Sequence, residues 1–268
     1  MNSYHQYLLS VAVLVIGITG CASESDTETA TTDTESSTET ATPGWSYEEG
    51  PTGPENWATL RAEYAPCNGK SQSPINIPTG EVAADESLSP LEVNYGTTPV
   101  EIINNGHTVQ FNVSGDYSLS TGDKEYELLQ FHYHVRSERT IDGEHYPLEI
   151  HFVHRHSDTD YAVLGMMYQP GVSNTLLADY LPFIPTEIGA YRSESQIDLS
   201  TLIPAELTYF HYDGSLTTPP CSEVVNWYLL QNPVEASTEQ LDQMTEILDG
   251  NYRPVMPLND REILGYGE

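Results

Sequence analysis

The segment Gln130-Phe131-His132-Tyr133-His134 sets two imidazoles two residues apart. On an extended strand such residues project from the same face, so His132 and His134 point together while Phe131, Tyr133 and Val135 turn to the other. A second run, Glu149-Ile150-His151-Phe152-Val153-His154, alternates likewise: Glu149, His151 and Val153 share one face, Ile150, Phe152 and His154 the other. Laid side by side, the two strands present three imidazoles. Three neutral nitrogen ligands suit Zn2+ and leave a fourth tetrahedral position for water, the layout of a catalytic rather than a structural site. His-x-His alone is weak evidence, since a lone strand histidine is more often an ordinary polar residue. The competing trio His151, His154 and His156 would need a helix or turn, against the alternation of residues 149–153. A metal-bound histidine usually passes its other N–H to a carboxylate or amide that fixes its tautomer. Gln130 and Glu149 each stand two residues before a proposed ligand, on the same face.

Strands must therefore carry this chemistry, and the chain supplies them. From Trp45 onward the pattern is short alternating or apolar runs broken by Gly, Pro, Asn and Asp, which predicts a β-dominated α+β fold. Strands are expected over residues 91–95, 100–104, 108–113, 126–136, 148–155, 162–168, 207–212 and 224–230. Helical pattern is confined to 175–180 and 238–248, the latter with Ser237 or Thr238 as its N-cap. No internal repeat is present, and 268 residues suffice for one substantial core plus an appendage.

The appendage is N-terminal. Residues 7–20 form an almost unbroken apolar run, too short to span a bilayer comfortably and closed by Ile18-Thr19-Gly20-Cys21. Residues 1–20 are expected to be a secretory signal peptide, and Cys21 resembles the lipidated cysteine of bacterial-type lipoproteins. The n-region departs from the pattern in having no Lys or Arg. Residues 21–44 are read as a disordered acidic tether, rich in Ser and Thr, that cannot bury enough apolar surface to offset its conformational entropy. Residues 45–268 form the domain. The whole chain carries 40 Asp and Glu against 9 Lys and Arg. With the six tether acids Glu24, Asp26, Glu28, Asp33, Glu35 and Glu39 set aside, the domain itself is still near −25. Such a surface cannot neutralise phosphates, which excludes nucleic acid as a partner. It suits solubility in salt, and a saline or alkaline external habitat, hence a halophilic source, is the expectation.

The chain resembles the α-class carbonic anhydrases, collinearly from Trp45 to near Gly265. The segments that carry the resemblance are Trp45-Ser46-Tyr47, Gly53-Pro54-Glu55-Asn56-Trp57, Gln72-Ser73-Pro74-Ile75-Asn76-Ile77, Asn104-Asn105-Gly106-His107, Gln130 to His134, Ser137-Glu138, Glu149 to His154, Ser215-Leu216-Thr217-Thr218-Pro219-Pro220-Cys221 and Asn251-Tyr252-Arg253-Pro254. The resemblance implies one domain around a large, mostly antiparallel twisted sheet, with zinc at the base of a cone-shaped cleft. It implies that His132, His134 and His151 hold the metal, with Gln130, Glu149 and Asn251 behind them. The family is itself the standard example of a three-histidine centre that brings bound water to a pKa of about 7, a figure carried over with the resemblance. A metal-bound hydroxide would attack carbon dioxide and bicarbonate would leave. Thr217 would orient the nucleophile by donating its hydroxyl proton to an ionised Glu138. His107 would carry the proton to buffer along a water path lined by Tyr47, Asn105 and Gln110. At Gln110 many relatives have asparagine. Val153, Val163, Leu216, Thr218, Val225 and Trp227 would wall the substrate pocket.

Cys67 and Cys221 match the disulfide of exported members, tying the N-terminal region to the loop that carries Thr217. The implied partners are carbon dioxide, bicarbonate and water, a membrane through the Cys21 anchor, and anion and sulfonamide inhibitors; the family admits a homodimer. Arg139 departs from the pattern, standing where histidine is common, as does the Val135-Arg136 pair. Two rivals remain: an acatalytic surface binding domain of the same fold, and a zinc esterase, for which no separate acyl pocket or Ser-His-Asp arrangement is seen.

Overall fold

The computed structural model describes residues 44–267; the apolar leader, Cys21 and almost all of the acidic tract lie outside the described residues. Among the described residues no helix is long and apolar enough to cross a membrane.

The alternating runs assemble into one sheet of thirteen strands. Ten follow one another in space as Gly189–Asp198, Thr97–Asn104, Val109–Asn112, Lys124–His134, Leu148–Ser157, Asp160–Pro170, Val225–Leu230, Tyr209–Gly214, Leu264–Tyr266 and Ala83–Ala84. Pairing is antiparallel except where Asp160–Pro170 meets Val225–Leu230 and Val234–Ala236, and where Leu264–Tyr266 meets Ala83–Ala84. A small second sheet joins Asn76–Ile77, Thr140–Ile141 and Glu144–His145. All eight expected strand regions lie in the large sheet, and the expected helices appear as Thr175–Tyr180 and Thr238–Leu248. Ser237 is the N-cap of the second, in a reciprocal capping box with Gln240. The strand Gly189–Asp198 was not foreseen, because at the sheet's edge its side chains are mostly exposed and polar and no alternation marks it.

Period-two alternation divides the chemistry between the two faces. Phe131, Tyr133, Ile150 and Phe152 turn into the main core, with Phe111 stacked on Phe131 at 4.5 Å between ring centroids and both helices packed beneath. Truncating such a buried aromatic typically costs about 3–5 kcal/mol, so the strands that carry the histidines are anchored from behind. His154 belongs to this core face. It is fully buried; its Nδ1–H donates to the Ala162 carbonyl (3.3 Å) and its Nε2 accepts from the Tyr95 hydroxyl (2.6 Å). It therefore has no part in a metal trio with His151 and His156. The opposite face holds a second apolar cluster, in which Val163, Val225 and Trp227 pack with Ile75 and Ile77.

Cys67 and Cys221 form a disulfide across 154 residues. It clamps the turn containing Thr217 and Thr218, which is further closed by Cys221 N–H donating to the Thr218 carbonyl (2.8 Å) and Leu216 N–H donating to that of Ser222 (3.0 Å).

Two outcomes are expected. Replacing both cysteines by alanine should lower the unfolding free energy by about 4–5 kcal/mol, the chain-entropy value for so long a loop, measured by urea titration. Burial pushes His154 down to about 3, so its neutral form contributes stability that is intact above about pH 6.5 and is lost as pH falls through that window. Unfolding free energies from urea titrations between pH 7 and pH 4 should fall more steeply for the parent than for His154→Phe, by roughly 1.4 kcal/mol per pH unit, the slope for one extra proton on the unfolded chain.

Candidate metal centre

Strand register brings the imidazoles together. His151 lies directly opposite His132, and Glu149 opposite His134; on the other side of the same strand Gln110 is opposite His132. One ring nitrogen of each of His132, His134 and His151 falls within 4.8 Å of the others. His134 and His151 are buried and His132 half-buried, so the group opens to solvent on the His132 side.

The other nitrogen of each ring is engaged. His132 Nδ1–H donates to Gln130 Oε1 (2.9 Å), His134 Nδ1–H to the Asn251 carbonyl (2.7 Å), and His151 Nε2–H to Glu149 Oε1 (2.8 Å). These bonds leave the lone pairs of His132 Nε2, His134 Nε2 and His151 Nδ1 for the centre. Asn251 also accepts Val135 N–H at its side-chain oxygen (2.9 Å) and donates to the Tyr133 carbonyl (2.8 Å), so it clasps the strand as well as the ring. Burial, reinforced by the neighbouring imidazoles, holds His132 well below the ordinary imidazole range, and burial pushes His151 down to about 3. Both rings are therefore neutral near pH 7, the state a metal requires. His134 Nε2 is buried without a hydrogen-bond partner among the described residues. A buried acceptor left unpaired is costly, and a cation at the meeting point of the three lone pairs would satisfy it. The residues present fit zinc.

Glu138 stands beside the His134 and His151 rings, fully buried. Its Oε1 accepts Arg253 N–H (3.0 Å); its Oε2 has no hydrogen-bond partner among the described residues and lies 3.7 Å from His134 Nε2 and 4.0 Å from His151 Nδ1. Thr217 is buried in the disulfide-clamped turn, but its hydroxyl makes no hydrogen bond to Glu138 in this geometry. Val153, Val163 and Trp227 occupy facing positions on three adjacent strands, and Val225 and Leu216 pack in the same cluster; Thr218 is half-buried. The Trp227 ring lies 5.0 Å from that of His151, which puts this apolar wall against the metal face.

His107 sits on a turn that Asn105 organises: the Asn105 side-chain oxygen accepts both His107 N–H and Thr108 N–H (2.9 Å each). That oxygen therefore builds the turn. The His107 ring stacks on Trp45 at 3.9 Å with 14° between planes, and Tyr47 meets it at 6.4 Å. Burial lowers the His107 pKa from its ordinary value; burial and the charge of Glu138 hold the Tyr47 phenol well above its own, so Tyr47 stays neutral. A cavity of about 510 Å³ is lined by Tyr47, His107, Asn251 and Tyr252. Gln110 donates to Asn112 Oδ1 (2.7 Å).

Sequence reasoning missed three contributors. Trp45 entered only as part of a motif, with no signal that it would support His107. Gly165 is opposite His151, where an added Cβ would come within 3.0 Å of Leu229 and 3.5 Å of Glu149 Oε1. A lone glycine within the apolar run 162–168 was the available sign of close approach. Arg139 was noted as a departure, without its contacts.

The sequence profile described as eukaryotic-type carbonic anhydrase matches residues 52–266. A carbonic anhydrase of Pectobacterium atrosepticum is 40% identical over 223 residues, covering 82% of this chain and 90% of its own. One of a Nostoc species is 40% identical over 228 residues, covering 83% and 86%. The solved α-carbonic anhydrase of Thermovibrio ammonificans, in complex with the inhibitor sulfanilamide, superposes with a TM-score of 0.78 at 39% identity, covering 82% of this chain and 98% of that one. With its three convergent imidazoles, its mixed sheet and this match over nearly the whole described region, the chain belongs to the α-carbonic anhydrase family.

Proposed function

We propose that the chain catalyses reversible hydration of carbon dioxide to bicarbonate and a proton, with Zn2+ held by His132, His134 and His151. The observation that carries this is the convergence of three tautomer-fixed imidazoles on one point, with His134 Nε2 otherwise orphaned among the described residues. Zinc bound there supplies the Lewis acidity that makes a water molecule a nucleophile near neutral pH.

The chain's own residues do the rest. Val153, Val163, Leu216, Val225 and Trp227 offer apolar carbon dioxide a dry surface beside the metal face. Glu138 Oε2 is the free acceptor for the Thr217 hydroxyl; once Thr217 donates there, its oxygen can only accept, so it fixes which lone pair of the reacting water faces the substrate. His107, stacked on Trp45, takes the proton released and passes it to buffer. Since burial lowers its pKa, the His107-dependent limb of the pH profile should lie below the ordinary imidazole value of about 6.5. The sulfanilamide complex of the Thermovibrio enzyme supports inhibition by sulfonamides. Export with a lipid anchor at Cys21 belongs to the same proposal, and the Cys67–Cys221 disulfide supports the export.

Stopped-flow hydration of carbon dioxide tests this reading. Activity should be lost on chelation, return with zinc and be absent in His134→Ala. A folded, zinc-loaded domain that does not hydrate carbon dioxide would leave the acatalytic binding domain as the reading. Within an active enzyme, Thr217→Val should lower kcat/KM by about 100-fold. His107→Ala should lower kcat by about 100-fold in poorly penetrating buffers, with recovery in imidazole buffer.

A further inference from the structure

Nine Lys and Arg residues serve the whole chain, yet one of them, Arg139, is fully buried against the metal centre. Its surroundings are specific. Nη1 donates to Glu149 Oε1 at 2.6 Å, Nε donates to the Tyr212 hydroxyl at 2.9 Å, and the guanidinium lies flat over Trp227, 3.4 Å from the ring centroid. The Arg139 backbone N–H donates to Glu149 Oε2 at 3.1 Å, beside that of Glu138 at 2.8 Å.

Glu149 thus receives four donors: His151 Nε2–H and Arg139 Nη1–H on Oε1, and two backbone N–H groups on Oε2. A carboxylate has about four lone-pair sites, so this one is saturated. It has no freedom to turn, and a proton would displace one of its donors. Nη1 and His151 Nε2 are 2.7 Å apart; both carry hydrogen in the metal-ready tautomer, so they do not bond each other but converge on one oxygen. The fork of the guanidinium is what allows one side chain to serve Glu149 and Tyr212 while lying on Trp227.

We propose that Arg139 is a positioning residue for the metal centre: through its fork it locks the Glu149 carboxylate, and through that carboxylate it fixes the tautomer and rotation of His151. The proposal rests on the zinc reading above. Arg139 touches neither substrate nor metal in it, and its effect reaches the centre only by way of Glu149.

Arg139→Lys tests this, since it keeps the buried positive charge and removes the fork. Zinc dissociation constants are measured by chelator competition on the folded domain, and visible absorption is recorded with Co2+ as the probe metal. The lysine variant is expected to bind zinc about 10-fold more weakly, the lower end of the range for lost outer partners of a metal ligand, and to show shifted cobalt bands. In a Glu149→Gln background the same replacement should change the zinc constant by less than about twofold, because the carboxylate through which Arg139 acts is gone. A lysine variant with the parent's zinc constant and cobalt spectrum overturns the proposal; so does full additivity with Glu149→Gln, which would make Arg139 merely structural. If the lysine variant does not fold by circular dichroism, Arg139→Gln with Glu149→Gln, which buries no unpaired charge at this pair, is compared with Glu149→Gln alone. Equal zinc constants support the proposal, and a tenfold difference overturns it. A parent that binds no zinc would instead defeat the zinc reading itself.

Discussion

The register between Lys124–His134 and Leu148–Ser157 is the constraint on which the rest depends. With His151 opposite His132, three imidazoles share one face and Phe131, Tyr133 and Phe152 share the other. A slip of one residue would exchange the faces, burying imidazoles among aromatics and turning the aromatics to water. The buried aromatics are therefore what hold the histidines in place. The metal face does not generate its own order; it inherits it from the packing behind the sheet.

Around that register the chain concentrates charge where water is absent. Glu138, Arg139, Glu149 and Arg253 are all buried within one neighbourhood, in a protein whose surface is overwhelmingly acidic. Burial opposes the charge on Arg139, but Tyr212 and the two carboxylates raise its pKa nonetheless; burial likewise opposes the charge on Glu149, and Arg139 and His151 keep it low. The charges on Arg139 and Glu149 are each tolerable because the other is there. Surface acids are screened by salt within about 10 Å at 0.1 M, whereas these groups lie beyond its reach. The surface and the centre thus answer to different solvents.

Much of this was legible beforehand, and the reasons differ by residue. The ligand strands declared themselves because alternation is a property of consecutive residues. Glu149 and Gln130 were legible because they share their ligands' strands. Asn251 could be placed only through a motif, since it orients His134 with a backbone carbonyl, a group every residue owns. The Tyr95 partner of His154 is 59 residues away in sequence, and nothing local announces it. Gly189–Asp198 escaped notice because an exposed edge strand obeys no burial pattern.

The distance between His134 and Asn251 along the chain carries a consequence for assembly. A polypeptide is made from its N-terminus, so the ring emerges 117 residues ahead of the carbonyl that orients it. Until that late segment arrives, His134 can neighbour the other two imidazoles without the partner that settles its own tautomer. Completion of the candidate metal centre is thereby tied to the completion of folding. A nascent or truncated chain would hold all three histidines but lack the carbonyl that orients one of them.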